Sequence, residues 1–223
     1  MKICVIIPTF NEAKEIGKLI VGIKPYALEI LVIDDGSTDN THAIARESGA
    51  IVLKNISNAG KGAALIRGFH YMLDNRFDAA ITLDGDGQHL PEDIALFLRL
   101  AENPEFGMLV GNRIENAKNM PIVRLLTNKF MSWILSKATG QKIPDSQCGF
   151  RLIKAKVLEK INLTTSRYDT ESEILLQAAR LGYKIGAVPI KSIYRGEKSK
   201  INPFVDTPRF IRLMLRTIWI TPP

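Results

Sequence analysis

Apolar positions set the first pattern. KICVIIPTF (2–10) is a β-branched, apolar run stopped at Pro8, and it predicts a buried strand. Over 12–24 (EAKEIGKLIVGIK) the apolar positions move to helical spacing. The alternation then repeats. EILVIDD (29–35) predicts a strand closed by the turn at Gly36 and Ser37, THAIARESG (41–49) a short helix, and AIVLKN (50–55) a strand. KGAALIRGFHYMLDN (61–75) predicts a helix and DAAITLD (78–84) a fourth strand. Short, uniformly apolar strands alternating with helices imply a mainly parallel sheet covered on both faces, an α/β fold.

Beyond residue 90 the pattern loosens. Pro91 begins a helix, PEDIALFLRLAEN, proline being favoured at the first helical position. FGMLVGNR (106–113) reads as a strand and PIVRLLTNKFMSWILSKATG (121–140) as a helix stopped by Gly140. IPDSQCGFR (143–151) reads as a loop, YDTESEILLQAARLG (168–182) as a helix and YKIGAVPIKSIYR (183–195) as a strand. No repeat or linker divides the chain. The expectation is one domain over 1–203, followed by a basic amphipathic segment over 204–223.

Ligands of an open parallel sheet bind beyond the carboxyl ends of its strands. Polar residues gather at those predicted ends: Thr9, Asn11 and Glu12; Asp34 and Asp35; Asn58 and Lys61; Asp84 and Asp86. The fourth end is the most informative. In ITLDGDGQHL (81–90) an apolar strand feeds two carboxylates one residue apart, where like charges repel and neither serves the core. A cation between them resolves the conflict. Mg²⁺ or Mn²⁺ takes oxygen ligands and uses one or two carboxylates together with substrate phosphates. Other phosphate and metal motifs fail on spacing. No G-x-G-x-x-G follows the first strand, NAGKGAA is out of frame for a P-loop, and an EF-hand starting at Asp84 would need Gly and Glu where His89 and Ala95 stand. His89 and Lys61 are each as consistent with ordinary loop or helix-start residues as with site residues. Asp169 and Glu171 read first as acids favoured at a helix start.

Charge and composition add a partner class. The 223 residues carry a net charge of +7, which points to anions: phosphates, nucleic acid or an acidic membrane surface. The tail concentrates it, with Lys191, Arg195, Lys198, Lys200, Arg209, Arg212 and Arg216 against Glu197 and Asp206. Arg209, Arg212 and Arg216 fall on one helical face, with Phe210, Leu213, Met214 and Trp219 supplying apolar area. The 121–138 helix is also basic and apolar, with Phe130 and Trp133, and both segments suit a membrane interface. No aromatic–basic nucleic-acid module is present, so no nucleic-acid partner is expected. Cys4 and Cys148 form no metal or disulfide pattern, and Cys148 is assigned no chemistry. No signal peptide or apolar run of about 18 residues is read, which fits a cytoplasmic protein.

Six motifs in order, PTFNE (8–12), VIDDGSTDNT (32–41), NAGKGAAL (58–65), DGDGQHLPED (84–93), VGNR (110–113) and DSQCGFR (145–151), resemble the family 2 glycosyltransferases. Among these the chain is most similar to polyprenyl-phosphate glycosyltransferases of the dolichol-phosphate mannose synthase type. The resemblance implies a GT-A nucleotide-sugar-binding fold and inverting transfer from a nucleotide diphosphate-sugar, GDP-mannose or a UDP-hexose. It implies Asp84, Asp86 and Gln88 at the metal; Pro8, Phe10, Glu12, Asp34 and Asp35 around the nucleoside; and Arg113 on phosphate. The acceptor implied is a polyprenyl (dolichyl or undecaprenyl) phosphate at the inner membrane face, with Arg124, Arg195, Lys198 and Lys200 as candidates to hold it. The protein would be peripheral, with a separate membrane-anchoring protein as a further candidate partner. Were the acceptor a sugar or glycolipid hydroxyl, a base would be essential, and Asp145 is the candidate. A catalytically silent nucleotide-sugar-binding protein is the reading of another class, and the intact D-x-D speaks against it.

Overall fold

The computed structural model describes residues 1–117, 120–167, 169–193, 210 and 212–214. Seven strands form one sheet: β1 (Ile3–Thr9), β2 (Glu29–Asp34), β3 (Ile51–Lys54), β4 (Ala79–Thr82), β5 (Phe106–Asn112), β6 (Arg151–Lys154) and β7 (Lys184–Pro189). Their order is β3-β2-β1-β4-β6-β5-β7. Only β6 runs against its neighbours, pairing antiparallel with both β4 and β5. The helices are α1 (Ile16–Ile23), α2 (Thr41–Glu47), α3 (Lys61–Asp74), α4 (Ile94–Ala101), α5 (Ile122–Thr139), α6 (Ala155–Leu158) and α7 (Asp169–Arg180).

The uniformly apolar strands are the central ones. Every residue of β1 and β4 is buried, whereas β3, at the sheet's edge, is only partly covered. Helix α3 buries Ala64, Leu65, Gly68, Phe69 and Met72 against β1, β2 and β4. A Cβ at Gly68 would stand 2.5 Å from Ile6 Cγ2, so the helix crosses β1 at a distance only glycine permits.

Strand order fixes where a ligand can enter. From β1 the chain steps outward through β2 to β3, then returns by α3 to place β4 on the other side of β1. The connections leaving β1 and β4 diverge there, and that switch point opens a crevice at their carboxyl ends. Asp84 and Asp86 follow β4 directly.

Two departures from the sequence pattern have local causes. Helix α1 begins at Ile16 rather than residue 12. The preceding residues are tied to the β2–α2 loop: Asn11 N donates to Ser37 Oγ, Glu12 N to Thr41 Oγ1 and Ala13 N to Asp39 Oδ2. Asn11 itself sits at φ 57° and accepts from Thr38 N through Oδ1. Strand β6 falls where a loop was expected to end; only Leu152 and Ile153 are apolar, between Arg151 and Lys154, so no strand pattern registers.

The C-terminal residues change one expectation. Phe210, Leu213 and Met214 are buried and join the main core, while Arg212 is exposed. The apolar face expected to meet a membrane is therefore turned inward at these positions. Arg209, Arg216 and Trp219 lie outside the described residues.

Candidate active site

Below the crevice a buried arginine shapes the floor. Arg151, at the start of β6, is 1% exposed and donates to the carbonyls of Ser146, Cys148 and Glu171 at 2.6–2.7 Å. Those bonds set the path of the 146–149 loop, which Thr82 Oγ1 also grips by donating to Gly149 O at 2.7 Å. Gly149 then faces Asp84. A Cβ there would stand 2.5 and 2.7 Å from the two Asp84 carboxylate oxygens, so glycine provides the space the carboxylate occupies.

Asp84 is half-buried and strongly paired. Lys61 Nζ lies 2.5 Å from its Oδ1, and His89 Nε2 stands 3.8 Å from Oδ2. Burial alone would raise the Asp84 carboxyl. The Lys61 ammonium and His89 together outweigh it and hold the group well below the usual carboxylate range. Asp86 shifts the other way: burial and then the Asp84 charge push it up, despite the bond it accepts from Gln88 N at 3.0 Å. One carboxylate is thus neutralised by a protein cation and the other is left with a like-charged neighbour.

Lys61 has a second partner. Both Glu171 oxygens lie 3.2 Å from its Nζ. Burial lowers the lysine's affinity for its proton, but the two carboxylates reverse the effect and raise it. Glu171 projects from the first turn of α7 and is buried, with Arg151 Nε 4.0 Å from its Oε1. Besides standing at a helix start, Glu171 pairs with Lys61, a contact that the 110-residue separation hid from the sequence.

The nucleoside side is built from loop ends. Pro8 and Thr9 are buried at the end of β1, and Phe10 is exposed beside them. Glu12 caps α1 through its carbonyl, which accepts from Glu15 N and Ile16 N. Asp34 is fully buried, accepts from Ser37 N at 2.9 Å, and has its other oxygen 3.8 Å from His42 Nδ1. Asp35 has three protein partners. Its oxygens accept from Asn55 Nδ2, Ala59 N and Gly60 N at 2.7–2.9 Å, so it anchors the turn that starts α3. An anion at that helix N-terminus is favoured.

Arg113 and Asp145 meet each other in the structure. Arg113 Nε and Nη2 form a fork onto Asp145 at 2.7 and 2.9 Å, with Arg113 N adding a third bond at 3.1 Å. Asp145 is fully buried and Arg113 nearly so. The structure brings them together, because a buried charge demands a matched partner.

Past β7 the chain returns to the carboxylate loop. Ile193 N donates to Gln88 O, Lys191 N to Asp93 Oδ2, and Ser192 pairs with His89. Arg124 lies in the first turn of α5. Arg195, Lys198 and Lys200 lie outside the described residues. Cys148 is fully buried, its thiol pushed up to about 12 chiefly by burial, in keeping with no chemical role.

The donor set suits a hard divalent cation. Among the described residues no group of three or more His, Cys, Asp or Glu forms a complete cage. Mg²⁺ does not need a complete protein cage: it takes one or two carboxylates, such as Asp84 and Asp86 supply, together with substrate phosphates. The raised Asp86 carboxyl marks the place where positive charge is lacking.

Comparison with known proteins agrees with this geometry. Residues 4–162 match the model of the family described as Glycosyl transferase family 2. The chain belongs to that family. The chain is 34% identical over 215 residues to the UDP-N-acetylglucosamine–dolichyl-phosphate N-acetylglucosaminyltransferase of Methanococcus voltae, covering 86% of each chain. It is 33% identical over 203 residues to the polyprenol monophosphomannose synthase of Mycolicibacterium smegmatis, covering 83% of this chain and 75% of that one. Its GT-A fold is shared with glucosyl-3-phosphoglycerate synthase of Mycobacterium tuberculosis, crystallised with Mn²⁺ and UDP-glucose. That superposition has a TM-score of 0.74 at 22% identity, over 100% of this chain and 80% of the other. The protein is therefore a glycosyltransferase.

Proposed function

We propose that the protein transfers a sugar, with inversion, from a nucleoside diphosphate-sugar to a polyprenyl phosphate at the cytoplasmic face of a membrane. The reading rests first on the carboxylate pair at the β1–β4 switch point, where Gly149 makes room for Asp84. Asp84, Asp86 and Gln88 would hold Mg²⁺ or Mn²⁺. A divalent cation there supplies charge neutralisation of the diphosphate leaving group. The clamped loops after β1 and β2, with Phe10 at their rim and Asp35 bracing the start of α3, border the nucleoside side. GDP-mannose and UDP-hexoses remain the donor candidates, and the dolichyl- and polyprenol-phosphate substrates in the relatives' names support the acceptor class.

The Arg113–Asp145 fork favours a phosphate acceptor over a hydroxyl one. A phosphate monoester has a second pKa near 6, is largely dianionic at neutral pH, and needs no general base. A hydroxyl acceptor needs one, and Asp145 would have to leave a buried bidentate pair to act.

Helix α5 supports the membrane surface. Its buried face carries Asn128, Ser132 and Leu135, while Ile122, Val123, Leu126, Phe130 and Trp133 are 59–78% exposed. At helical spacing these five fall within about 100° of arc, a continuous apolar stripe turned to solvent. Exposed Lys129 and Lys137 share that side, and the Phe130 and Trp133 rings stack at 6.3 Å. A helix with polar residues inward and apolar residues outward suits a lipid interface with anionic headgroups. Among the described residues no helix is long and apolar enough to cross a membrane.

The test is transfer from radiolabelled GDP- and UDP-sugars onto a short polyprenyl phosphate, with Mn²⁺ or Mg²⁺ and with chelator. Label should enter lipid and vanish with chelator. Nucleotide-sugar binding with no lipid product would shift the reading to a hydroxyl acceptor or a silent binder. For the membrane contact, Leu126→Ser with Phe130→Ser should reduce sedimentation with anionic vesicles by at least about tenfold. Unchanged sedimentation would remove α5 from the interface.

A further inference from the structure

Lys61 is the residue of the site whose position helix physics does not explain. It is the first residue of α3, where the dipole presents its positive end and a cation is disfavoured. Its side chain is only 18% exposed, yet its ammonium sits between two carboxylates on different elements. One, Asp84, belongs to the proposed metal pair. The other, Glu171, does not, and it is fixed from behind: Arg151 donates to its backbone carbonyl at 2.6 Å and stands 4.0 Å from its carboxylate. Lys61 Nζ is closer to Asp84, at 2.5 Å against 3.2 Å to Glu171. An ammonium at that distance occupies Asp84 Oδ1, and a divalent cation sharing that oxygen with it would be repelled in a partly buried site.

We propose that Lys61 is a built-in counter-ion that competes with the divalent cation for Asp84, with Glu171 as its alternative partner, so that metal enters with the nucleoside diphosphate and not ahead of it. The inference rests on Asp84 and Asp86 being the metal site. Without nucleotide, Lys61 neutralises Asp84 and the protein alone binds the cation weakly. A diphosphate brings oxygen ligands and negative charge, which offset the repulsion between metal and ammonium. Lys61 then needs only a short swing, onto Glu171 or onto a phosphate oxygen, and Glu171 keeps the displaced ammonium from being stranded in a buried position. Lys61 and Glu171 are in this sense positioning residues: they set when the carboxylate becomes available.

Mn²⁺ binding, read from the free-ion electron paramagnetic resonance signal, tests this without turnover. It is measured on Mn²⁺ alone and with UDP or GDP, for the wild type, Lys61→Met, Lys61→Gln, Glu171→Gln, Lys61→Met/Glu171→Gln and Asp86→Ala. The wild type should bind Mn²⁺ tightly only with a nucleotide present. Either Lys61 variant should bind nucleotide-free Mn²⁺ at least about tenfold more tightly than the wild type. Glu171→Gln should weaken nucleotide-free binding by about threefold in the wild-type background and change nothing beside Lys61→Met, since there is then no ammonium to redirect. A simple field effect of the lost carboxylate would carry over undiminished, and that result overturns the proposal. So does an unchanged nucleotide-free affinity in whichever Lys61 variant circular dichroism shows to be folded; Lys61→Gln keeps a polar tip should Lys61→Met unfold. Failure of the metal-site reading looks different: nucleotide-dependent Mn²⁺ binding that survives Asp86→Ala, or none in any form.

Discussion

Two cation–carboxylate clusters stand at the same edge of the sheet, and they are closed to different degrees. In the first, Arg113 and Asp145 meet fork to fork, both buried, with the Arg113 amide adding a third bond. In the second, Lys61 is shared between Asp84 and Glu171, Asp84 keeps 26% of its side chain exposed, and Asp86 beside it is pushed up by burial and by its neighbour's charge. The first cluster is satisfied by the protein alone. The second leaves a carboxylate in want of charge and faces the crevice. The difference teaches that charge near a cleft is no guide to chemistry by itself: what matters is whether the fold has already answered it.

Asp86→Ala gives the largest separation between the two. Turnover should fall by at least about 10²–10³-fold, the scale for losing a group that stabilises developing charge. Removing one of two repelling carboxylates should leave the melting temperature unchanged or slightly higher, the usual trade between a site and stability. A variant with wild-type turnover would show that the pair is not the metal site. Asp145→Asn should do the reverse. Weakening a buried fork leaves the Arg113 guanidinium poorly compensated and should destabilise the fold by about 3–5 kcal/mol, read as a fall in melting temperature. Below that temperature its transfer to a phosphate acceptor should stay within about tenfold of wild type. Abolished turnover at unchanged stability would instead make Asp145 a base, and the hydroxyl-acceptor reading would take over.

The sequence carried the first cluster and the second unequally. The carboxylate pair was legible because local pattern suffices: a buried strand, β4, empties directly into Asp84 and Asp86. The six strands outside β6 were legible from short apolar runs bounded by turn residues, although the pattern did not report the exposure of β3 and of part of β7. Partnership is not local. Arg113 and Asp145 are 32 residues apart and Lys61 and Glu171 are 110, so no periodicity links them. That Asp35 accepts from the amides of Ala59 and Gly60 was not legible either, since those partners lie 24 and 25 residues further along the chain. Arg151 and Gly149 lay in a motif with no assigned part. Only the antiparallel insertion of β6 shows why the motif needs a buried donor at one position and no side chain at the other. Helix α5 was read as basic and apolar; that its apolar side faces outward needed its packing partners, since periodicity defines a stripe but not which way it points.

A smaller effect separates the clusters by local opening. Cys148 sits on the loop that the first cluster ties down: its amide approaches Asp145 O at 3.4 Å, and it is fully buried with its thiol pushed up to about 12 by burial. At pH 8 in the folded wild type it should resist iodoacetamide, because the thiolate is the reactive form and neither exposure nor charge favours it. Asp145→Asn should let the 145–149 loop open and speed alkylation of Cys148 by at least about tenfold, a local-opening effect short of global unfolding. Cys4, buried in β1 with its thiol likewise raised to about 12, provides the control and should stay protected. Lys61→Met should leave both thiols as in the wild type, since that cluster closes no loop over either. If Cys148 in Asp145→Asn stays as protected as Cys4, the fork does not hold the loop, and Arg113 and Asp145 would have to be reconsidered as residues kept for the reaction.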